Sequence, residues 1–417
     1  MKKNTEKFDV AVIGGGPAGM MAAGRAAELG AKVVLIEKNK VFGKKLLITG
    51  KGRCNITQAE FSDQEFIKTI GKNGKFLFSS LNLFGPQKVI NFFERKGLKT
   101  KVERGGRVFP VSDQAQDVLT ILLGYLQKNG VVSRLNKKVV GFECEKNRIR
   151  CVHLESRDIY ADNFIITVGG KSYPVTGSTG DGFEWAKILG HKVSKTFPSL
   201  VPIKVEENWV EDLQGLSLRN VELNIYQDNK KKESVFGEML FTHFGISGPI
   251  VLNASKNISE LLEQGKVEIQ IDLKPALEFS QLEDRLKRDF EKNKNKDFIN
   301  YLPELIPQKM IEVIAGLAGI DPRKKINLVT KEERKSMVKL LKGLKLSAIE
   351  TTGYNQAIIT SGGVDLREVD SKTMQSKIIE NLYWAGEVLD IDGPTGGYNL
   401  QIAWSTGFSA GGFASKK

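Results

Sequence analysis

A Gly-rich turn between an apolar strand and an Ala-rich helix near the N-terminus and a second strand, Gly-rich turn and helix near the C-terminus, with alternating strands between them, predict an α/β protein. Its Rossmann-type nucleotide-binding domain draws on both chain ends and is interrupted by an antiparallel β-rich domain and a small helical subdomain. The predicted boundaries are residues 1–192 and 346–417 for the two parts of the nucleotide-binding domain, 193–277 for the β-rich insert and 278–345 for the helical piece.

The first element is "FDVAVIGGGPAGMMAAGRAAELGAKVVLIEKN", which starts at Phe8. Asp9 to Ile13 reads as a buried parallel strand, and Pro17 to Leu29 as a helix whose alanines allow close packing on a sheet. Gly14 permits the sharp bend and Gly16 lets the backbone approach a pyrophosphate. Gly19 seats the helix against the strand, and Pro17 and Ala18 fill the rest of the turn. FAD, NAD and NADP all carry a pyrophosphate, so the turn leaves them open. A second strand, Lys32 to Ile36, ends in Glu37 and Lys38, and Glu37 is spaced from Gly14 as a ribose-binding acid should be. A carboxylate there accepts from both ribose hydroxyls and repels a 2′-phosphate, which argues against NADP.

The next segment, "VFGKKLLITGKGRCNIT", is a basic Gly-rich loop where a plain NAD domain would continue with a helix. Lys44, Lys45, Lys51 and Arg53 suit phosphates, Gly50 and Gly52 bring amides close, and Thr49, Cys54 and Asn55 add short polar groups. Further on, the strand Phe164 to Val168 closes on Gly169–Gly170, with Ser172 and Tyr173 as polar candidates. Near the C-terminus, Leu382 to Ala385 reads as a strand, followed by Gly386–Glu387 and a Gly-rich turn that enters a helix near Asn399. That helix start suits the pyrimidine edge of a flavin, and Ala403, Gly407 and Gly411 mark one close-packed face.

In the middle, "VPIKVEE", "NVELNIYQD" and "KVEIQIDLK" alternate as antiparallel strands, and from Glu278 to Leu344 the pattern turns Lys/Glu-rich and helical.

Composition narrows the function. The 417 residues are 41% hydrophobic and 27% charged, with no low-complexity tract, as in a globular enzyme. The uncharged run after "MKKNTEK" contains the Gly turn, so it is not a cleavable leader. The run from Gly393 to Ser415 is broken by Pro394, Asn399 and Gln401 and makes a poor membrane span, so the expectation is a cytoplasmic protein without membrane partners. Cys54, Cys144 and Cys151 have neither CxxC spacing nor an even count, so no disulfide framework and no metal site are expected. The net charge of +13 favours polyanions, yet the Lys clusters lack interleaved aromatics or a nucleic-acid module. A nucleic-acid partner is thus disfavoured but open, and a small molecule is the expected substrate.

The motifs "IGGGPAGMMAA", "GKKLLITGKGRCNIT", "GRVFP", "VGGKSYPVTGSTGDG", "FTHFGISGP", "TSGGVDLREVD" and "AGEVLDIDGPTGGYNLQIAWSTG" span nearly the whole chain. In these the sequence resembles the HI0933-like flavoproteins, the YhiN/BaiN-like family of NAD(P)/FAD-dependent oxidoreductases that includes aminoacetone oxidase. The resemblance implies a glutathione-reductase-like FAD domain. In it Gly14, Gly16 and Gly19 hold the pyrophosphate and Glu37 the ribose, while Lys45, Gly52, Arg53, Cys54 and Asn55 line the cofactor. It also implies that a strand such as Lys138 to Phe142, with Val139, meets the adenine. Val168, Gly169 and Gly170 pass close by, and Gly386, Glu387, Gly397, Asn399 and Leu400 approach the ribityl chain and flavin.

With FAD carrying the hard chemistry, few catalytic residues are needed. His243, in "GEMLFTHFGISGPIV", is the candidate proton donor, and no GxSxG elbow supports a hydrolase. The leading expectation is hydride transfer at the flavin to or from a small organic substrate held between the FAD domain and the insert. NAD(P)H is a candidate transient donor, although only one Gly-rich unit with its acid is present. An oxygen-using oxidase of amines or hydroxy compounds, an FAD-dependent RNA-modifying enzyme and a flavin redox sensor stay open.

Overall fold

The computed structural model describes residues 6–416 and separates into two compact units, one formed by the chain up to Phe197 together with Ile358 onward, the other by Pro198–Ala357. The first unit contains, in chain order, β1 (Lys7–Ile13), α1 (Pro17–Glu28), β2 (Val33–Ile36), α2 (Ala115–Lys128), β3 (Val132–Arg134), β4 (Val139–Glu145), β5 (Arg148–Leu154), β6 (Asp158–Ile166), α3 (Asp181–Ile188), β7 (Leu382–Trp384) and α4 (Tyr398–Ala414). Its sheet has the order β3, β2, β1, β6, β5, β4. Central β1 is parallel to both neighbours, with Ile13 beside Ile36 and Ile166, and its uncharged run from Val10 is buried or nearly so on both faces.

β4, β5 and the first half of β6 form an antiparallel meander, whereas the second half of β6 pairs in parallel with β7 from Phe164–Leu382 to Ile166–Trp384. The C-terminal segment thereby returns to the sheet that the N-terminus began. The small-residue face expected on the last helix is what allows this, since a Cβ on Gly407 would lie 2.4 Å from the Ala18 carbonyl oxygen and one on Gly411 2.2 Å from that of Ala22. Helix α4 consequently packs directly on α1. Its far side is held by Phe84, which stacks on Phe408 at 4.3 Å, and by the Trp404 indole, which donates to the Ile56 carbonyl.

In the second unit six antiparallel strands close a barrel in the order Ile203–Val205, Gly245–Ser247, Lys230–Thr242, Ser217–Gln227, Val267–Asp272 and Leu344–Thr351. Helices Pro249–Leu262, Phe279–Lys292, Ile311–Ala318 and Lys331–Lys342 share one hydrophobic core with it. A buried ion pair, Lys342 to Asp272, ties the last of these helices to a barrel strand. Two boundaries therefore shift. The strand Leu344–Thr351 pairs with both Ile203–Val205 and Val267–Asp272 to close the barrel, so residues 346–357 belong to the insert, and residues 193–197 stay with the first unit. The helices of 278–345 have no core of their own, because their apolar faces are buried in the barrel's.

Candidate functional site

The carboxyl ends of β1, β2, β6 and β7 open onto a cleft within the first unit. This is where open parallel sheets bind ligands.

The Gly-rich turn forms one wall. Gly14 has φ +105°, and a Cβ there would lie 2.7 Å from the Thr167 carbonyl oxygen, so the turn is pressed against the end of β6. At Gly16 a Cβ would meet nothing within 4 Å, which leaves that backbone face to the cleft. Gly16, Pro17 and Ala18 line it, and no side chain caps α1, so its first amides are free for an anion. Gly19 lies behind this wall, where a Cβ would stand 1.8 Å from the Gly14 oxygen.

Glu37, buried at the end of β2, receives the Gly15 N–H at 2.7 Å on Oε2 and the Asn39 N–H at 2.8 Å on Oε1. Each oxygen keeps acceptor capacity toward the cleft. Lys38 lines the same end and donates to Asp181 at 2.8 Å and Thr179 at 2.6 Å. Burial raises the Asp181 carboxyl, but the bond and charge of Lys38, the bond from Thr179 and the charge of Lys138 together outweigh it and hold the group below its ordinary value. Val139 of β4 and Val168 and Gly169 after β6 complete this part of the lining.

At the other end Lys45, Gly386, Glu387, Asn399 and Leu400 line the cleft. Lys45 Nζ donates to Glu387 Oε2 at 2.8 Å and to Ser172 Oγ at 2.6 Å, and Ser172 Oγ donates to Glu387 Oε1 at 2.7 Å. Glu387 also receives the Thr360 N–H at 2.8 Å. The Asn399 side chain pairs with both backbone groups of Gly393 and so fixes the turn that leads into α4.

Besides Gly19, seven named residues lie outside the lining. Gly170 packs where a Cβ would be 2.4 Å from Thr360 Oγ1, and Gly397, at φ +103°, caps α4 against Thr57. Gly52 follows a kink in the basic loop. Arg53 stacks 4.1 Å above Phe109 and bonds Glu103 and Asp113; those bonds hold its guanidinium above and the Glu103 carboxyl below their ordinary values, and the bonds from Lys101 and then Arg53 hold Asp113 below its own. Cys54 is wholly buried, and burial pushes its thiol up to about 12, so it is a protonated, inert group. Asn55 Oδ1 is buried with no hydrogen-bond partner among the described residues, and a Cβ on Gly397 would lie 3.0 Å from it. His243 sits exposed in the second unit on the turn from Lys230–Thr242 to Gly245–Ser247, edge-on to Phe244 at 4.9 Å.

The sequence profile of the HI0933-like protein Rossmann domain matches residues 8–413. The chain belongs to the HI0933-like family. It is 31% identical over 411 residues, 98% of this chain and 99% of the relative, to a 3-dehydro-bile acid delta(4,6)-reductase of Clostridium scindens. It is 30% identical, over 97% of each chain, to a ribosomal RNA dihydrouridine synthase of Escherichia coli. In fold it is similar to the 3-ketosteroid-delta4-(5alpha)-dehydrogenase of Rhodococcus jostii RHA1, with a TM-score of 0.55 at 14% identity, covering 100% of this chain and 99% of that one.

This HI0933-like protein is accordingly an FAD-dependent oxidoreductase with a Rossmann-type FAD-binding domain. The cleft fits that cofactor: an uncapped helix start for the pyrophosphate, a buried acid for the ribose, and a polar end made by Lys45, Ser172 and Glu387. Among the described residues no helix is long and apolar enough to cross a membrane. Sequence reasoning passed over Thr360, Asp181 and Trp185. Thr360 Oγ1 accepts the N–H groups of Lys171 and Ser172, and Trp185 lines the cleft beside Val139 with its ring against Phe142. The quoted motifs "TSGGVDLREVD" and "VGGKSYPVTGSTGDG" offered a signal for Thr360 and Asp181, and Trp185 had none.

Proposed function

We propose that this flavoprotein reduces a carbon–carbon double bond conjugated with a carbonyl group. The observation that carries the reading is the chemistry common to two relatives of nearly equal likeness: the name of one denotes reduction in a 3-oxo steroid, that of the other reduction of a uracil ring beside its carbonyl. Bound FAD, once reduced, supplies the hydride. The chain's residues hold the cofactor, orient the acceptor and deliver the proton that completes the reduction.

NAD(P)H is the proposed donor. Since one Gly-rich unit serves FAD, the nicotinamide must reach the flavin without a second such domain. We assign the proton to His243, an exposed imidazole of the kind that serves as a general acid. Of the two substrate classes, the net charge of +13 attracts RNA more strongly than the single carboxylate of a bile acid, while the Lys clusters lack the interleaved aromatics of a nucleic-acid module, so a small-molecule acceptor stays the leading class and RNA the alternative.

The test is anaerobic. The protein is reduced with NADH or NADPH, then mixed with a 4-en-3-one steroid or with unmodified ribosomal RNA, and flavin reoxidation is followed together with the mass of the product. Reoxidation with a two-hydrogen mass gain in uridine supports the RNA reading, and the same in the steroid supports the other class. Reoxidation by oxygen alone, with neither acceptor consumed, overturns the reductase reading.

A further inference from the structure

The meander β4–β5–β6 carries a cluster of donor atoms that the dinucleotide cleft does not use. In its register Glu143 stands opposite Cys151, Cys151 opposite Tyr160, and His153 opposite Asp158. Side chains two apart share a face of a strand, so Cys151 and His153 emerge together with Glu143 beside them. One donor atom each from Glu143, Cys151 and His153 lies within 4.8 Å of the others.

The electrostatic setting suits a cation. Cys151 is buried, and its Sγ lies 3.5 Å from Glu143 Oε2. His153 Nδ1 is 2.8 Å from Asp158 Oδ1, which fixes the tautomer and leaves the lone pair on Nε2. The titratable groups around the thiol are Glu143 on β4 and Asp158 and Tyr160 on β6; burial, then Glu143 and Asp158, raise it, against the opposing hydrogen bond of Tyr160. The neighbouring arginines of β5 turn elsewhere, Arg148 to Glu380 and Arg150 to Glu145.

We propose that Cys151, as thiolate, the Glu143 carboxylate and His153 Nε2 bind one zinc-class divalent cation, with Asp158 orienting the imidazole and water in the fourth position. A sulfur, nitrogen and oxygen set of this kind selects zinc over the hard cations magnesium and calcium, and an acid on the far nitrogen of a ligating histidine is the usual supporting contact. Binding releases the thiol proton to solvent, so affinity falls on acidification. The ion would clamp β4 to β5, and β4 is the strand that brings Val139 to the cleft.

The experiment uses the flavin-loaded full chain, stripped with chelator and titrated with zinc by calorimetry, followed by zinc-edge X-ray absorption. One equivalent is expected, with a single sulfur at about 2.3 Å and nitrogen or oxygen at about 2.0–2.2 Å. Asp158→Ala should weaken binding about 10- to 100-fold, as loss of a supporting contact does, and Cys151→Ser and His153→Ala should weaken it more. Cys144→Ser, at an exposed thiol on the same strand as Glu143, should change nothing. If Cys151→Ser loses its flavin spectrum or fold, His153→Ala and Glu143→Gln, at less buried positions, decide. Absence of stoichiometric zinc, a shell without sulfur, or binding that survives in His153→Ala or vanishes in Cys144→Ser overturns the proposal.

Discussion

Lys45 Nζ lies 2.8 Å from Glu387 Oε2, which joins the basic loop after β2 to the loop after β7 across 342 positions of sequence. The two side chains are only 19% and 22% exposed, and both line the cleft. A pair of this kind couples the two chain ends that must together make one cofactor site.

Lys45→Met and Glu387→Gln, made singly and together, should therefore be non-additive in urea unfolding. The expected coupling is about 0.5–3 kcal/mol, the range for residues in one hydrogen-bonded network. Each single change should also speed FAD release, read by the rise in free-flavin fluorescence. Effects that add to within about 0.3–0.5 kcal/mol would show the pair to be incidental.

Glu37 holds the turn through the Gly15 N–H and is the proposed acceptor for the ribose. Glu37→Gln keeps an acceptor for the Gly15 N–H, whereas Glu37→Arg removes it and sets a cation beside the α1 N-terminus. The arginine variant loses charge-assisted bonds worth about 1.5–3 kcal/mol each, so FAD affinity should fall by about 100-fold or more, with the glutamine variant between it and the wild type. Unchanged affinity in Glu37→Arg would place the ribose elsewhere.

Two glycines of the same turn should fail in different ways. Gly19→Ala drives a methyl to 1.8 Å from the Gly14 oxygen and 2.6 Å from Thr167 Oγ1, so it should lower the stability of the flavin-free protein by about 1–3 kcal/mol. Gly16→Ala meets no protein atom within 4 Å and should leave that stability intact while weakening FAD. Differential scanning of the flavin-free proteins, paired with FAD titration, separates the two. Equal melting temperatures for both variants would contradict the assignment of Gly19 to packing.

What was legible in the sequence is what is local. The turn, Glu37 and the Ala403–Gly407–Gly411 face are each set within one supersecondary unit, where spacing alone dictates geometry. Arg53 was not legible in this sense, because a cation in a basic loop reads the same whether it faces a phosphate or a carboxylate, and Glu103 and Asp113 lie 50 and 60 residues away. The barrel boundary was hidden for a like reason. Leu344–Thr351 alternates as any half-buried strand does, and only register with Ile203–Val205 and Val267–Asp272 shows which sheet it closes.

His191 gives a pH prediction. Burial pushes its imidazole below the ordinary value, against the opposing pull of Glu368. The Trp384 indole donates to Nε2 at 3.3 Å and Ser376 Oγ lies 2.8 Å from the same nitrogen, and since an indole only donates, Nε2 holds a lone pair and the ring is neutral. The folded value being depressed, the unfolded chain takes up the proton first. Its contribution is thus full above about pH 6.5 and is lost as pH falls toward the folded value. Urea unfolding should show stability declining from pH 7 to pH 5, with a shallower decline in His191→Gln. Identical slopes would assign the decline to other groups.

The last prediction concerns His243. It is exposed on a barrel turn and its ring touches Phe244, so His243→Asn should leave the fold and the flavin spectrum unchanged. If it delivers the proton in the proposed reduction, turnover per bound flavin should fall by about 10²- to 10⁴-fold, the usual worth of a positioned acid or base, while reduction of the flavin by NAD(P)H keeps its rate. Following the two half-reactions separately between pH 6 and pH 8 makes the test specific, because a packing role would alter melting temperature or flavin content and leave the rate per flavin nearly constant. A wild-type rate in the acceptor half-reaction across that range removes His243 from the chemistry and moves the search for the donor to Lys45 and Ser172, whose protons already meet at Glu387 in the cleft.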